Sequence, residues 1–243
     1  MIKTKMMNIY LFKLAIRILI FLAAFILYIW HKDWMIAFAK QPITMGVTPM
    51  HVLWLVFMAM MVKHLIPRGR ATMALRKAEE ENFVRTQDYS ELEMYRFIQD
   101  QNEKAWKVML LWLIFNAVWG LLYLLHILDD MDLIMLSITY FLCDYICILF
   151  YCPFQTHIMR NKCCVNCRIY DWGHFMMFTP MLFIRNFYSW SLFFTSCVVL
   201  ISWEIKYIRH PERFWEGSND TLQCANCRDK TCQIKKKLLK KYH

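Results

Sequence analysis

The chain has 243 residues, 58% of them apolar and 20% charged, against roughly 45–50% apolar in soluble domains, so the composition is shifted toward lipid. Five glycines and six prolines exclude a collagen-like or low-complexity chain. The formal charge of +10 is consistent with nucleic acid binding, but the basic residues lie between apolar stretches with no recognition helix or aromatic-rich sheet beside them. They are read as topology signals facing anionic lipid, and no nucleic-acid partner is expected.

The first apolar stretch, 9–30, predicts a transmembrane helix. Lys13 and Arg17 lie one turn apart near its N-terminal end and are expected to snorkel to the headgroups. No small-residue cleavage site follows, because His31-Lys32-Asp33-Trp34 comes next, so the helix is expected to be retained. A shorter stretch covers 50–66, with Trp54 inside and Lys63 and His64 at its end. The third, 108–125, is long enough to span roughly 30 Å of hydrocarbon. The fourth, 133–150, carries one acid, Asp144. Residues 175–184 are apolar but only ten in number, and 187–203 form a longer stretch. The two read as a tight pair turning at 185–190. The expected fold is an all-α polytopic transmembrane helical bundle of six spans, or five if 175–184 is re-entrant.

With the N-terminus inside, segments 1–8, 67–105, 155–170 and 206–243 hold 2, 7, 3 and 10 Lys and Arg residues, 22 in all, against 3 in the opposite loops. That bias predicts a plasma-membrane protein with both termini cytoplasmic. The resulting organisation is two helices in 1–66, a cytoplasmic connector 67–105, a hairpin 106–151, a Cys-rich loop 152–171, a second hairpin 172–205 and a Cys-rich basic tail 206–243. Within the connector, Tyr89, Leu92, Tyr95 and Ile98 recur at helical spacing, which predicts an amphipathic helix at the membrane surface.

Of ten cysteines, Cys143, Cys147 and Cys197 fall in predicted spans, and seven fall on segments assigned to the cytoplasm. Cytosolic thiols stay reduced, so a disulfide framework explains them poorly and a soft-metal site explains them better. Cys164-Val165-Asn166-Cys167 and Cys224-Ala225-Asn226-Cys227 are CxxC turns, and two such turns supply the four-thiolate shell of zinc or an iron–sulfur cluster. The pairs are 56 residues apart, but the intervening hairpin returns both to one face. Cys152, Cys163 and Cys232 are additional ligand candidates, and the sulfur excess favours an iron–sulfur centre or a redox-active thiol pair over zinc. Cys143 and Cys147 share a helix face suited to Cu(I), against the plainer reading of small buried hydrophobes. His174 has no matching helix-borne His for haem.

Asp144, mid-span, is a candidate for proton relay or cation binding, against a neutral carboxyl bonded to Asn116, Ser137 or a tyrosine. The basic run 235–241 is expected on anionic lipid. From Cys152-Pro153-Phe154 through Cys163-Cys164 to Trp215-Glu216-Gly217-Ser218-Asn219 and the last cysteines, the C-terminal part resembles a group of bacterial polytopic membrane proteins with no assigned activity, which implies a bacterial plasma membrane and nothing about chemistry.

The expected function is a membrane protein with a cytoplasm-facing Cys-ligated centre for electron transfer or redox sensing, meeting a soluble redox partner at its basic surface. The alternatives are a structural-zinc scaffold or complex subunit, and a metal or solute transporter, for which Thr179-Pro180 is the one hint of a broken helix. No nucleophile–base–orienter set supports hydrolysis.

Overall fold

Thr4 caps the first helix, its hydroxyl accepting from the Met7 amide at 3.3 Å, and α1 then runs Lys5–Trp30. The computed structural model describes residues 4–34, 47–66, 73–87, 89–161, 163, 165–227, 232 and 235. Thr48 and His51 bond to one another at the start of α2, Pro49–Leu65, where Pro49 is pre-set for the first helical position. A short α3, Met73–Ala78, and a 3-10 turn, Glu80–Asn82, precede α4, Glu91–Leu124, whose first turn is capped by Ser90. His126, in the left-handed region at φ 59°, turns the chain, and the Ile127 amide closes back on the Leu122 carbonyl at 3.0 Å. Asp129 then caps α5, Asp130–Leu149, through the Met131 and Asp132 amides.

After α5 come a π-helical turn, Phe154–Met159, ended by left-handed Arg160, and a 3-10 turn, Tyr170–Trp172. Next, α6, Gly173–Phe178, gives way to a 3-10 turn, Thr179–Phe183, because Pro180 has no amide to continue the helix. The Asn186 side chain, accepting from the Ser189 amide at 2.8 Å, starts α7, Phe187–Arg209. Two 3-10 turns, Pro211–Arg213 and Asp220–Leu222, carry the chain onward. Among the described residues there is no strand, and an isolated bridge joins Arg85 and Asn219.

The chain is thus all-helical, and α1, α4, α5 and α7 are long and apolar enough to cross a membrane. Their outward faces are those of lipid-facing helices: Phe12, Leu19, Ile29, Ile114 and Ile208 are all exposed. The 17-residue α2 reaches about 26 Å at 1.5 Å per residue, just short of the hydrocarbon core. The stretch expected as a fifth span is not one helix. Its α and 3-10 parts, 6 and 5 residues, rise about 19 Å in total and are mostly buried in protein rather than turned outward. The amphipathic stretch before the third span also differs from a separate surface helix. It is continuous with the span in α4, with Met94, Gln101 and Ala105 buried while Leu92 and Tyr95 stay exposed.

Side-chain contacts fix the relative directions. α1 packs antiparallel on α5, with Tyr28 bonded to Asp132 at 2.5 Å near one end and Arg17 to Asp144 at 2.9 Å farther along. α2 runs beside α7, joined by Trp54–Ser191 at 2.7 Å and Tyr188–His51 at 2.7 Å. α6 and its 3-10 extension thread between α4, α5 and α7, with Trp112 donating to Thr179 at 3.1 Å. Farther along, Phe183 lies where a Cβ on Gly120 would come within 2.2 Å of its ring, so glycine lets the ring lie against α4.

Candidate functional site

Helical spacing divides α5 into two chemical faces. Phe141, Asp144, Tyr145 and Ile148 recur at three and four residues toward α1, while Tyr140, Cys143 and Cys147 turn the other way. A cavity lies on each side, and Asp144, Ile148, Tyr170, Gly173 and Met177 contribute to both walls.

The cavity on the α1 side, about 370 Å³, is the more polar of the two. Arg17 donates to Asp144 at 2.9 Å and to the Phe141 carbonyl at 2.5 Å. Its guanidinium lies between the Phe141 and Tyr145 rings, 3.9 and 3.8 Å from their centroids. This arrangement replaces water with a carboxylate, a carbonyl and two π faces, which is how a charge is kept inside an apolar bundle. Gly173 makes room for the pair, since a Cβ there would lie 2.7 Å from the Asp144 Oδ1. Tyr10 stacks on Tyr145 at 5.4 Å and its hydroxyl meets that of Tyr170 at 3.3 Å. The rings of His64 and His174 meet edge to face at 4.7 Å. Asp144 is therefore an ion-pair partner. The expected alternatives are engaged elsewhere or absent: Asn116 donates to the Trp112 carbonyl at 2.9 Å and accepts from Tyr140 at 3.3 Å, and Ser137 lacks a hydrogen-bond partner. Arg17, expected at the headgroups, is instead largely buried, its side chain 11% exposed.

The cavity on the other side, about 410 Å³, is apolar and lined by thiols: Cys143, Cys147, Cys152 and Cys167 share its wall with Trp112, Tyr140 and Phe154. The π-helical turn positions Cys152, whose sulfur accepts from the Gln155 amide at 3.4 Å. The Cys147 thiol also donates to it, and that bond is the largest influence holding the Cys152 thiol below its usual range. Burial opposes the shift, while the Gln155 amide and the Lys235 charge assist it. Lys235 is buried rather than lying on a lipid surface, its Nζ bonded to the Gln155 side chain and to the Cys147 carbonyl at 3.3 Å. The rest of the run 236–241 lies outside the described residues.

Beyond this cavity, the first CxxC turn meets the segment leading into the second. The Asn166 side-chain amide donates to the Leu222 carbonyl at 3.4 Å, two residues before Cys224. The first turn is anchored by Arg168, which bonds to Asn102 and Glu204, lies 4.2 Å over Tyr207, and offers its carbonyl to Trp203 at 2.7 Å. The approach to the second is held by fully buried Asn219, which donates to the Arg213 carbonyl at 2.9 Å and accepts from the Thr221 amide at 3.1 Å. Backbone bonds tie this segment to the connector, Asp220 to Val84 at 2.9 Å and Thr86 to Ser218 at 3.1 Å.

Of the sequence-predicted ligands, Cys167 is buried, Cys152, Cys163, Cys227 and Cys232 are half-buried, and Cys224 is exposed. Cys164 lies outside the described residues. Among the described residues, no three His, Cys, Asp or Glu side chains converge as a metal shell. The structure brings Cys152 and Cys167 to one cavity and ties Asn166, between the first pair of cysteines, to Leu222, two residues before the second pair. It does not draw Cys167, Cys224 and Cys227 onto a common point. Sequence reasoning missed the Arg17 pairing, the His64–His174 contact and buried Lys235. A cation inside an apolar run was the available signal for the first.

Comparison with protein-family models, with curated proteins and with solved structures finds no match to this chain. The class rests on the fold, an all-helical chain with four helices long and apolar enough to cross a membrane among the described residues, and a cysteine-rich C-terminal part.

Proposed function

We propose that this chain is an integral membrane protein of six crossings with both termini cytoplasmic, carrying a Cys-ligated metal centre where its two CxxC turns meet. The observation that carries the metal reading is the Asn166–Leu222 hydrogen bond, which spans 56 sequence positions and places one turn against the approach to the other. Cys164, Cys167, Cys224 and Cys227 form the shell, an all-thiolate set suited to an iron–sulfur cluster or zinc. The centre serves electron transfer or redox sensing, with a soluble partner reaching the basic cytoplasmic side. The membrane topology is supported by the distribution of basic residues, 22 against 3, and by α6 with its 3-10 turn linking the level of Glu204 to that of Gly120.

A second reading has its own observation. The hydrogen-bonded Cys147 and Cys152 thiols in an apolar cavity favour redox sensing by a dithiol with no metal. Single Cys167→Ser and Cys227→Ser variants separate the two. Each loses most bound metal if the turns share one ion, because each leaves the shell incomplete. Full metal retention by both variants refutes the shared centre, and a wild type that carries no metal leaves the dithiol reading.

A further inference from the structure

The polar cavity holds more cationic charge than its own carboxylates neutralise. Lys13 and Arg17 from α1 and Lys63 from α2 stand against Asp144 and Asp171. Arg17 is committed to Asp144. Neither Lys13 nor Lys63 forms an ion pair among the described residues, and the nearest aromatic contact of Lys13 is loose, 5.8 Å to the Tyr10 ring. In bulk water two such lysines need no explanation. At the edge of a hydrocarbon phase an uncompensated ammonium is costly, and an anion supplied from outside the chain lowers that cost.

The cavity also opens where a membrane lipid can reach it. α1 packs on α5 and α2 packs on α7, so the cavity walls contributed by α1 and α2 come from helices held by different neighbours. Both lysines are exposed, and the residues beside them, Phe12, Ile16 and Val62, are exposed apolar side chains of the kind that face acyl chains. Lys63 lies in the last turn of α2 and Lys13 in the first third of α1, at the membrane end shared by the cysteine-rich loop. Deeper in, the His64 and His174 rings add nitrogen atoms able to bond oxygen.

We propose that this cavity is a binding site for the phosphate of an anionic membrane phospholipid. Lys13 and Lys63 hold the phosphate oxygens at the mouth, the His64–His174 pair lies behind them, and the acyl chains run along the exposed faces of α1 and α2. The Arg17–Asp144 pair forms the floor. It keeps Arg17 from competing for the phosphate. The site owes nothing to the cysteines and stands or falls apart from the metal centre.

Native mass spectrometry of the full chain in mild detergent tests it, with phosphatidylglycerol, phosphatidylcholine or inorganic phosphate added. The wild type is expected to retain phosphatidylglycerol in preference to phosphatidylcholine. Lys13→Gln and Lys63→Gln each reduce that retention about fivefold, from the electrostatic worth of one lysine at an anionic surface. Lys63→Arg keeps it. Lys107→Gln, on an exposed lysine paired with Glu103, leaves it unchanged, so a general loss of positive charge is distinguishable from loss of the site. Both lysines are exposed and neither forms an ion pair among the described residues, so the substitutions remove little native packing. Equal losses from Lys107→Gln and Lys63→Gln overturn the proposal, as does equal retention of the two lipids. Displacement of phosphatidylglycerol by millimolar inorganic phosphate overturns the lipid assignment in favour of a free-phosphate site.

Discussion

The two cavities flanking α5 differ in what holds them. On the α1 side, order comes from charge: Arg17 is fixed by Asp144, the Phe141 carbonyl and two aromatic rings. On the other side it comes from thiols, amides and rings, with Cys152 fixed by a π-helical turn and a neighbouring thiol. A shift of one residue along one helix separates them, since Cys143 and Asp144 are adjacent. The lesson is that helical periodicity lets one apolar span carry two incompatible chemistries, provided each polar group is satisfied within its own cavity. Damage to the charged side is therefore expected to cost stability, whereas damage to the thiol side is expected to change reactivity.

The largest effect is expected from Asp144→Asn. It leaves a guanidinium without its counter-ion inside the bundle, a loss of about 3 kcal/mol, measured as a lowered unfolding temperature in detergent. Adding Arg17→Met should restore most of it, because the unpaired charge is then gone. Failure of the double variant to recover would show that the pair organises the helices rather than compensating a charge. Next comes Gly173→Ala, whose new methyl would fall 2.7 Å from the Asp144 Oδ1 and force the carboxylate aside. A cost of about 1–3 kcal/mol follows from overpacking, read in the same melt.

On the thiol side, Cys152 should alkylate at lower pH than an ordinary thiol, because its lowered pKa populates the thiolate earlier as pH rises. Cys147→Ala removes the main donor, so the alkylation profile should move to higher pH by about one unit, the worth of one charge-assisted hydrogen bond. An unchanged profile would assign the activation to the Gln155 amide and Lys235 instead. The smallest effect is expected from Asn166→Ala. It loses one hydrogen bond, worth about 1 kcal/mol, and should weaken metal retention only several-fold while leaving the melt nearly unchanged.

Much of the architecture was legible before any coordinates. Long apolar runs announce themselves as helices, so 9–30, 50–66, 108–125, 133–150 and 187–203 reappear as α1, α2, α4, α5 and α7 with ends shifted by six residues or fewer, except that α4 begins at Glu91, well before 108. The fifth stretch was ambiguous for a physical reason. Ten apolar residues around Thr179-Pro180 satisfy a short helix buried in protein as well as a span in lipid, and composition does not distinguish these environments. Asp144 was visible as a misplaced acid. Its partner was not, because Arg17 is 127 positions away and also reads as an interfacial anchor. The CxxC turns were visible as spacing, while the contact between the first and the segment leading into the second depends on Asn166 and Leu222, two residues with no chemical signature of their own. Lys235 illustrates the opposite error. It belongs to a basic run that reads as lying on anionic lipid, yet it is buried against the Gln155 side chain.

The central claim is that the cysteine-rich end holds a metal. Elemental analysis with an absorption spectrum, on protein purified without oxygen in detergent, tests it most directly. The account predicts stoichiometric metal: iron with acid-labile sulfide and a broad visible band for a cluster, or zinc without colour for a structural site. Protein that carries neither iron nor zinc, with the thiols of its cysteine-rich end all titrating as free, would contradict it.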